Sequence, residues 1–268
     1  MKSCYNRAQM AQALQKAGLK HGDVVFTHSN VGYFGFPEEG QTSDIVFHTI
    51  LGAFQDVIGE EGTLVVPTFS YSFCNNQPFD PDNTPSTCGM FTELLSLHPD
   101  AHRSQDPIFS VAALGNQAEE LTADVPVECF GRGSFWDRFL AADGVFCNLN
   151  LDAGSTFVHF IERCLNVPYR YDKLFTGTII RHGKSEKGAA IYFCRDLSNP
   201  DTVAAFEPFD ALARKNGLAH SVSVGHGAIV SIKARDSYNI IERELKMNPW
   251  LLTSSTKTSK TPVLRIRE

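Results

Sequence analysis

Two short apolar runs separated by one amphipathic helix constrain this chain more than any other feature. Residues 24–28 read Val-Val-Phe-Thr-His after the turn Gly22-Asp23, and residues 63–68 read Thr-Leu-Val-Val-Pro-Thr after Glu61-Gly62. Short, apolar and bounded by turn residues, both read as buried strands. Between them Thr42-Ser43-Asp44 offers N-caps for a helix that runs to about Ile58. Strand, helix, strand over such a span is the β-α-β unit of a parallel sheet.

The remaining periodicities extend that start. Residues 7–18 form an amphipathic helix with Met10, Leu14 and Ala17 on one face, and further helices are expected over 90–97, 116–121, 134–141, 155–167, 203–216 and 236–247. Strands are expected over 108–114 and 145–151. Two hairpins follow, 176–180 with 189–194 around His182-Gly183-Lys184, and 218–224 with 228–233. Early parallel strands and later hairpins predict an α/β fold, a three-layer αβα-like single domain over 1–268 with a central mixed sheet. The stretch 69–85, rich in Asn, Asp and Pro, reads as a long surface loop, and such loops in compact domains often carry function.

Composition narrows the partners. With 268 residues, 43% apolar and 20% charged, the chain can bury a large core. Its formal net charge of -6 argues against DNA or RNA as a partner, since phosphate binding needs clustered Lys and Arg. No run approaches the ~18 apolar residues of a membrane span. Residues 1–15 lack the apolar core of a secretion signal, so a cytoplasmic protein is expected. Seven cysteines are scattered without a CxxC pair, which points to reduced thiols and against zinc or a disulfide framework.

Polar stretches between these elements are the candidates for chemistry. Thr27-His28-Ser29-Asn30-Val31-Gly32 follows the first strand, where open α/β sheets bind ligands and glycine lets backbone N–H groups approach them. It is either a ligand loop or an ordinary polar turn. Pro67-Thr68-Phe69-Ser70 stands in the same place after the second strand and carries the same two readings. Ser155, His159 and Glu162 share one helix face at spacings of four and three. A neutral imidazole there suits proton removal from an amine near pH 7, although a helical histidine can equally be structural. Arg103, just before a strand, can grip a phosphate or carboxylate, or close a surface ion pair. Arg163, Arg170, Lys173, Arg181, His182 and Lys184 form a basic run, either a solvated face or a cradle for an anionic ligand. A metal-hydrolase reading on His28, His102, Asp106 and His159 lacks any compact ligand pattern such as HExxH.

The order of these segments over roughly residues 8–247 resembles the aminoglycoside 3-N-acetyltransferase family. The resemblance runs through Gly22-Asp23-Val24-Val25 with His28-Ser29, Gly62 to Thr68 with Ser70, Phe79-Asp80-Pro81, Arg103-Ser104 with Pro107, Ser110 to Gly115, and Thr156, His159 and Glu162. It implies transfer of an acyl group, usually acetyl, from coenzyme A to an amine, with acetyl-CoA as co-substrate and no metal. On that basis His28, Ser29, Asn30, Val31, Gly32, Thr68 and Ser70 are expected to hold the pantetheine arm and its thioester, joined by Arg103 and Ser110. His159 would be the general base, oriented by Asp196 or by Glu162. Tyr71, Asp80, Asp106, Arg170 and Lys173 are the expected acceptor contacts. Where antibiotic-acting members carry His-Pro-x-His-Ser, this chain has Asp106-Pro107-Ile108-Phe109-Ser110, and residues 169–175 look like relatives associated with surface-polysaccharide sugars. The expected acceptor is therefore an amino sugar, with the basic run favouring a nucleotide-linked one. The alternative is an aminoglycoside antibiotic. Small molecules are the expected partners, with no nucleic acid and no membrane, and the assembly is left open, with a homodimer as one option.

Overall fold

The computed structural model describes residues 4–181 and 183–255. Asn6 starts α1 (Arg7–Lys16) with a reciprocal capping box, in which Asn6 and Gln9 each accept the other's backbone N–H. The chain then forms β1 (Val24–Phe26), a 3-10 turn (Val31–Phe34), α2 (Ser43–Ile58) and β2 (Thr63–Pro67). The Thr42 hydroxyl caps α2 by accepting the Ile45 N–H at 3.3 Å. A second 3-10 turn (Phe73–Asn75), α3 (Met90–Ser96), β3 (His102–Arg103), β4 (Val111–Gly115), α4 (Ala118–Thr122), α5 (Phe135–Ala141), β5 (Val145–Leu149) and α6 (Phe157–Cys164) follow. The chain continues through β6 (Arg170–Arg181), β7 (Lys184–Arg195), α7 (Glu207–Lys215), β8 (His220–Val224), β9 (Gly227–Lys233) and α8 (Ala234–Met247).

Seven strands make the main sheet, in the order β3-β4-β2-β1-β5-β9-β8. Its centre is parallel, β1 pairing with both β2 and β5, and its flanks are antiparallel. Side chains alternate across this sheet and so feed two cores. Val25, Leu64, Val66 and Cys147 face one layer with Met10, Leu14, Phe47, Ile50, Phe54 and Phe91, from α1 to α3. Phe26, Val65 and Phe146 face the other with Phe135, Trp136, Phe139, Phe157, Ile161 and Ile241, from α5, α6 and α8. Phe26 sits among five rings, with centroids 5.0 Å from His28, 5.3 Å from Trp136 and 5.6 Å from Phe135. Each such fully buried ring contributes roughly 2–3 kcal/mol of burial. This is the expected three-layer architecture with a mixed sheet. Among the described residues no helix is long and apolar enough to cross a membrane.

Four expectations change. The first hairpin is far longer than the apolar segments suggested: β6 and β7 pair over twelve residues each, as a separate two-stranded sheet. Loops on both sides capture it. Phe79 exchanges backbone hydrogen bonds with Thr178 and Ile180, and Cys129 donates to the Ile191 carbonyl at 3.0 Å. The 69–85 stretch is therefore partly core, with Phe73 and Phe79 buried beneath the hairpin. Residues 107–109 are a turn and the strand begins only at Val111, because one Asp106 carboxylate oxygen accepts the N–H groups of Ile108 and Phe109, each at 2.8 Å. Finally, α7 starts at Glu207, where Pro208 fits the first helical turn, and residues 200–202 form a 3-10 turn of their own.

Candidate active site

The parallel centre of the sheet sets the C-terminal ends of β1, β2 and β5 side by side, the usual crevice position in an open α/β sheet. One buried amide ties two of these exits together. Asn148, in β5, accepts the His28 N–H at 3.3 Å and donates to the carbonyls of Asp152 at 2.7 Å and Gly154 at 2.9 Å. The loop after β1 is thereby fixed against the loop that enters α6. His28 Nε2 lies 3.4 Å from both the backbone N and the hydroxyl of Thr156. Burial disfavours its charged form and takes its pKa down to about 4.

One turn beyond Thr156 is His159. Its Nδ1 stands 2.7 Å from Glu162 Oε2 and 3.0 Å from Arg170 Nη2. Arg170 Nε lies 2.6 Å from the same Glu162 oxygen, and the Tyr169 hydroxyl donates to Glu162 Oε1 at 2.6 Å. Burial alone would raise the Glu162 carboxyl, but Arg170, His159 and Tyr169 together hold it below the ordinary glutamate range. A proton on Nδ1 satisfies the ionised Glu162 oxygen at 2.7 Å, and Arg170 Nη2, which has only donors, is then a charge neighbour at 3.0 Å and not a hydrogen-bond partner of that nitrogen. The neutral imidazole then keeps its lone pair on Nε2. Burial and the Arg170 charge both lower the His159 pKa, against the raising influence of Glu162. The glutamate side chain is 0% exposed, the arginine 2% and the histidine 15%, so of the three the histidine retains a path to solvent.

Aromatic rings connect the two histidines. His28 meets Phe69, Phe69 meets Phe109 at 5.2 Å, Phe109 meets Phe130 at 4.8 Å, and Phe130 meets His159 edge-on at 5.6 Å. Tyr71 and Tyr192 pack on Phe109, and Phe206 closes the far side of His159 at 5.9 Å. Tyr71 adopts φ 53°, left-handed backbone that is uncommon for a non-glycine residue and is found at sites where surrounding structure fixes it.

The other sequence candidates separate into groups. Ser29 bridges Leu149, and Asn30 exchanges bonds with Leu149 and Asn150, so this loop follows β5. Val31 is buried, whereas Asn30 and Gly32 are exposed. Thr68, Ser110 and Arg103 form an internal tie. Ser110 donates to the Thr68 carbonyl at 2.6 Å, and Arg103 donates to the carbonyls of Thr68, Pro81 and Thr84 while lying over the Phe79 ring. That guanidinium holds the 80–84 turn rather than presenting a free fork. Ser70 donates to the Pro107 carbonyl at 3.3 Å. Asp80 accepts from Asp82 N–H and from Asn83 within its own turn. Asp106 is buried, its carboxyl raised by that burial against the backbone N–H groups it accepts, and it borders a cavity of about 500 Å³ whose walls do not include His159. Asp196 accepts from the Ser198 N–H and hydroxyl, so of the two proposed orienting acids it is Glu162 that meets the imidazole.

The three arginines of the basic run, buried or half-buried, face acidic or amide partners. Arg170 is committed to Glu162, Arg163 pairs with Asp172 at 3.0 Å and Glu128 at 3.6 Å, and Arg181 pairs with Glu186 and Gln105. Lys173 is exposed above the Phe175 ring, Lys184 is exposed, and His182 lies outside the described residues. Among the described residues no three His, Cys, Asp or Glu side chains gather as a metal site. Asn148, Tyr169, Phe130 and Phe206 were absent from the sequence candidates. Asn148 alone carried a signal, an amide inside an otherwise apolar strand, because a polar group buried there must find partners.

The sequence profile described as aminoglycoside 3-N-acetyltransferase matches residues 4–246. The chain belongs to the aminoglycoside 3-N-acetyltransferase family. It is thus an N-acetyltransferase of that family. A relative, the aminoglycoside N(3)-acetyltransferase IX of Micromonospora chalcea, is 30% identical over 87% of each chain. The aminoglycoside acetyltransferase AAC(3)-IVa, solved as a histidine-to-alanine mutant in complex with apramycin, is 25% identical, covers 94% of this chain and 96% of its own, and superposes with a TM-score of 0.76. AAC-IIIb, solved in a binary complex with CoASH, is 22% identical over 94% of this chain and all of its own, with a TM-score of 0.78. These likenesses support the aminoglycoside alternative over the nucleotide-sugar expectation, and three arginines of the basic run are already paired with carboxylates.

Proposed function

We propose that this family member transfers the acetyl group of acetyl-CoA to an amine of an aminoglycoside, with His159 as the general base. The observation that carries the chemistry is the His159–Glu162 contact, which leaves Nε2 as the basic nitrogen, one helical turn past the Thr156 that contacts His28. The attacking amine nitrogen bonds to the thioester carbonyl carbon as the carbon–sulfur bond breaks. Its proton passes to Nε2 and then to the departing CoA sulfur. Acetyl-CoA is held along the exit loops, His28 to Gly32 and Ser70, and the acceptor lies against Tyr71 and the aromatic wall. Orientation of two bound reactants supplies much of the acceleration.

Direct attack fits the thiols better than an acyl-enzyme does. Burial raises the pKa of Cys74, Cys88, Cys129, Cys147, Cys164 and Cys194. A cysteine–imidazole contact does exist between Cys4 and His226, at 2.9 Å, but it joins the N-terminal segment to the β8–β9 turn.

The deciding experiment measures kcat/KM with acetyl-CoA on a panel of aminoglycosides beside 3- and 4-amino sugar nucleotides, following thiol release. Aminoglycosides are expected to be the efficient acceptors. Turnover of a sugar nucleotide with none of any aminoglycoside would refute the acceptor assignment while leaving acetyl transfer intact.

A further inference from the structure

A buried histidine–carboxylate pair has an inherent defect as a general base. The carboxylate that orients the ring also stabilises the imidazolium, so the pair tends to take one proton and keep it. Here a third charge stands against both members. Arg170, from the first residue of β6, places Nε 2.6 Å from Glu162 Oε2 and Nη2 3.0 Å from His159 Nδ1. Its Nη1 donates to the Phe193 carbonyl at 3.1 Å, so β7 fixes the orientation of the guanidinium. The Tyr169 hydroxyl occupies the other Glu162 oxygen. A guanidinium stays charged at any pH at which the protein is folded.

We propose that Arg170 is a positioning residue that cancels the Glu162 charge felt at His159, so that the dyad passes a proton on instead of retaining it. This rests on the general-base reading above. In the transfer, the ammonium-forming proton leaves the attacking nitrogen for His159 Nε2. The resulting imidazolium then stands beside Arg170 with its charge only partly offset by Glu162. It is driven to release that proton to the CoA thiolate formed when the carbon–sulfur bond breaks, and the neutral base is regenerated. Every proton and electron pair is accounted for by amine, thioester and imidazole.

The groups facing His159 are few. α6 contributes Glu162 and the β6 start contributes Arg170, while the Tyr169 hydroxyl meets Glu162 and the β7 Tyr192 phenol meets Arg170 rather than the ring. Phe130 and Phe206 supply uncharged walls. Arg163, one residue past Glu162, is directed to Asp172 and Glu128. Removing the Arg170 charge therefore leaves Glu162 unopposed at the imidazole.

The test is a site-resolved NMR titration of the His159 ring in the whole protein, paired with the pH dependence of kcat/KM. In the native protein His159 is expected to stay neutral below the ordinary histidine range. Arg170→Gln is expected to move its titration upward by about one unit or more. Arg170→Met, which keeps the packing of the stem, serves the same purpose where the glutamine variant does not fold. Arg170→Lys retains a charge and is expected to stay closer to native. A native His159 that titrates at or above the ordinary range overturns the proposal, as does an unchanged titration in the Gln or Met variant. A Lys variant that shifts as far as Gln also overturns it, since geometry rather than charge would then be responsible. The activity profile separates this from the general-base reading. If the ring titration moves as expected but the acid limb of kcat/KM does not follow it, the positioning effect stands and the base assignment falls.

Discussion

At the scale of single residues, His159 differs from a surface histidine in what flanks Nδ1: a carboxylate at 2.7 Å and a guanidinium at 3.0 Å. Proton transfer by a positioned imidazole is worth ~10²-fold or more. His159→Gln is therefore expected to lower kcat by at least about that factor. The affinity for CoA, measured by calorimetry, should hold, because the ring serves the amine and not the donor. Glu162→Gln and Asp196→Asn should separate cleanly. The first removes the group that fixes the tautomer and leaves Arg170 buried without its counter-charge, and is expected to cost about 10-fold or more in kcat and several kcal/mol of stability, of order 3–5, in chemical unfolding. The second disturbs a turn around Ser198 and is expected to leave kcat within about 2-fold, the behaviour of a surface substitution. Equal losses in the two would show that Glu162 does not orient the base. The helical spacing of His159 and Glu162 made their contact legible in advance, since residues three apart on a helix are neighbours. Nothing local pointed to Arg170 as their partner. A basic residue on a polar, charge-alternating strand looks solvent-bound until the opposing strand is placed.

Elements set how firmly the site is built. The 80–84 turn and the β2 exit are held by one guanidinium, with Arg103 donating to three carbonyls. Arg103→Met keeps the stem but abandons those acceptors. It is expected to destabilise the fold by roughly 2–3 kcal/mol, the scale of lost charge-assisted hydrogen bonds. Thermal melts should show this, with CoA binding weakened only as far as the loop loosens. A CoA affinity abolished in a variant of native stability would instead mean that Arg103 touches the cofactor directly. The edge of the β2–β4 ladder has its own constraint. Gly115 has φ +128°, and a Cβ there would fall 2.2 Å from the Gly62 carbonyl oxygen. Apolar runs and caps identified β1, β2, α1 and α2 because those signals lie within the element. They failed on the hairpin, whose polar half is held by the backbone ladder and the Arg181–Glu186 pair rather than by apolar packing, and on residues 108–110, where a side-chain acceptor outcompetes the ladder.

For the whole molecule, two partly buried imidazoles are proton-deficient relative to the unfolded chain. His28 has the ordinary pKa of 6.5 outside the fold and one of about 4 inside it. Between those values the unfolded state carries more protons, so stability is fully present above the upper value and is lost as the pH falls towards the lower one. His159 is shifted in the same direction, while the raised Asp106 carboxyl acts the opposite way. Urea unfolding of native protein and of His28→Asn, at about pH 7.5 and about pH 4.5, isolates the His28 share. The native chain should lose more stability on acidification than the variant, and parallel losses would rule this account out. By itself the sequence determined what depends on neighbours along the chain: a parallel β-α-β start, the caps, and a histidine with an acid one turn away. The tertiary structure decided what depends on which distant segments meet. It made Asn148 a clamp between two loops, turned Arg103 inward to loop carbonyls, and paired Arg163, Arg170 and Arg181 with carboxylates. The physical reason is that a charged side chain declares its sign in the sequence but not its partner, and pairing is settled only when sheet order brings remote strands within reach.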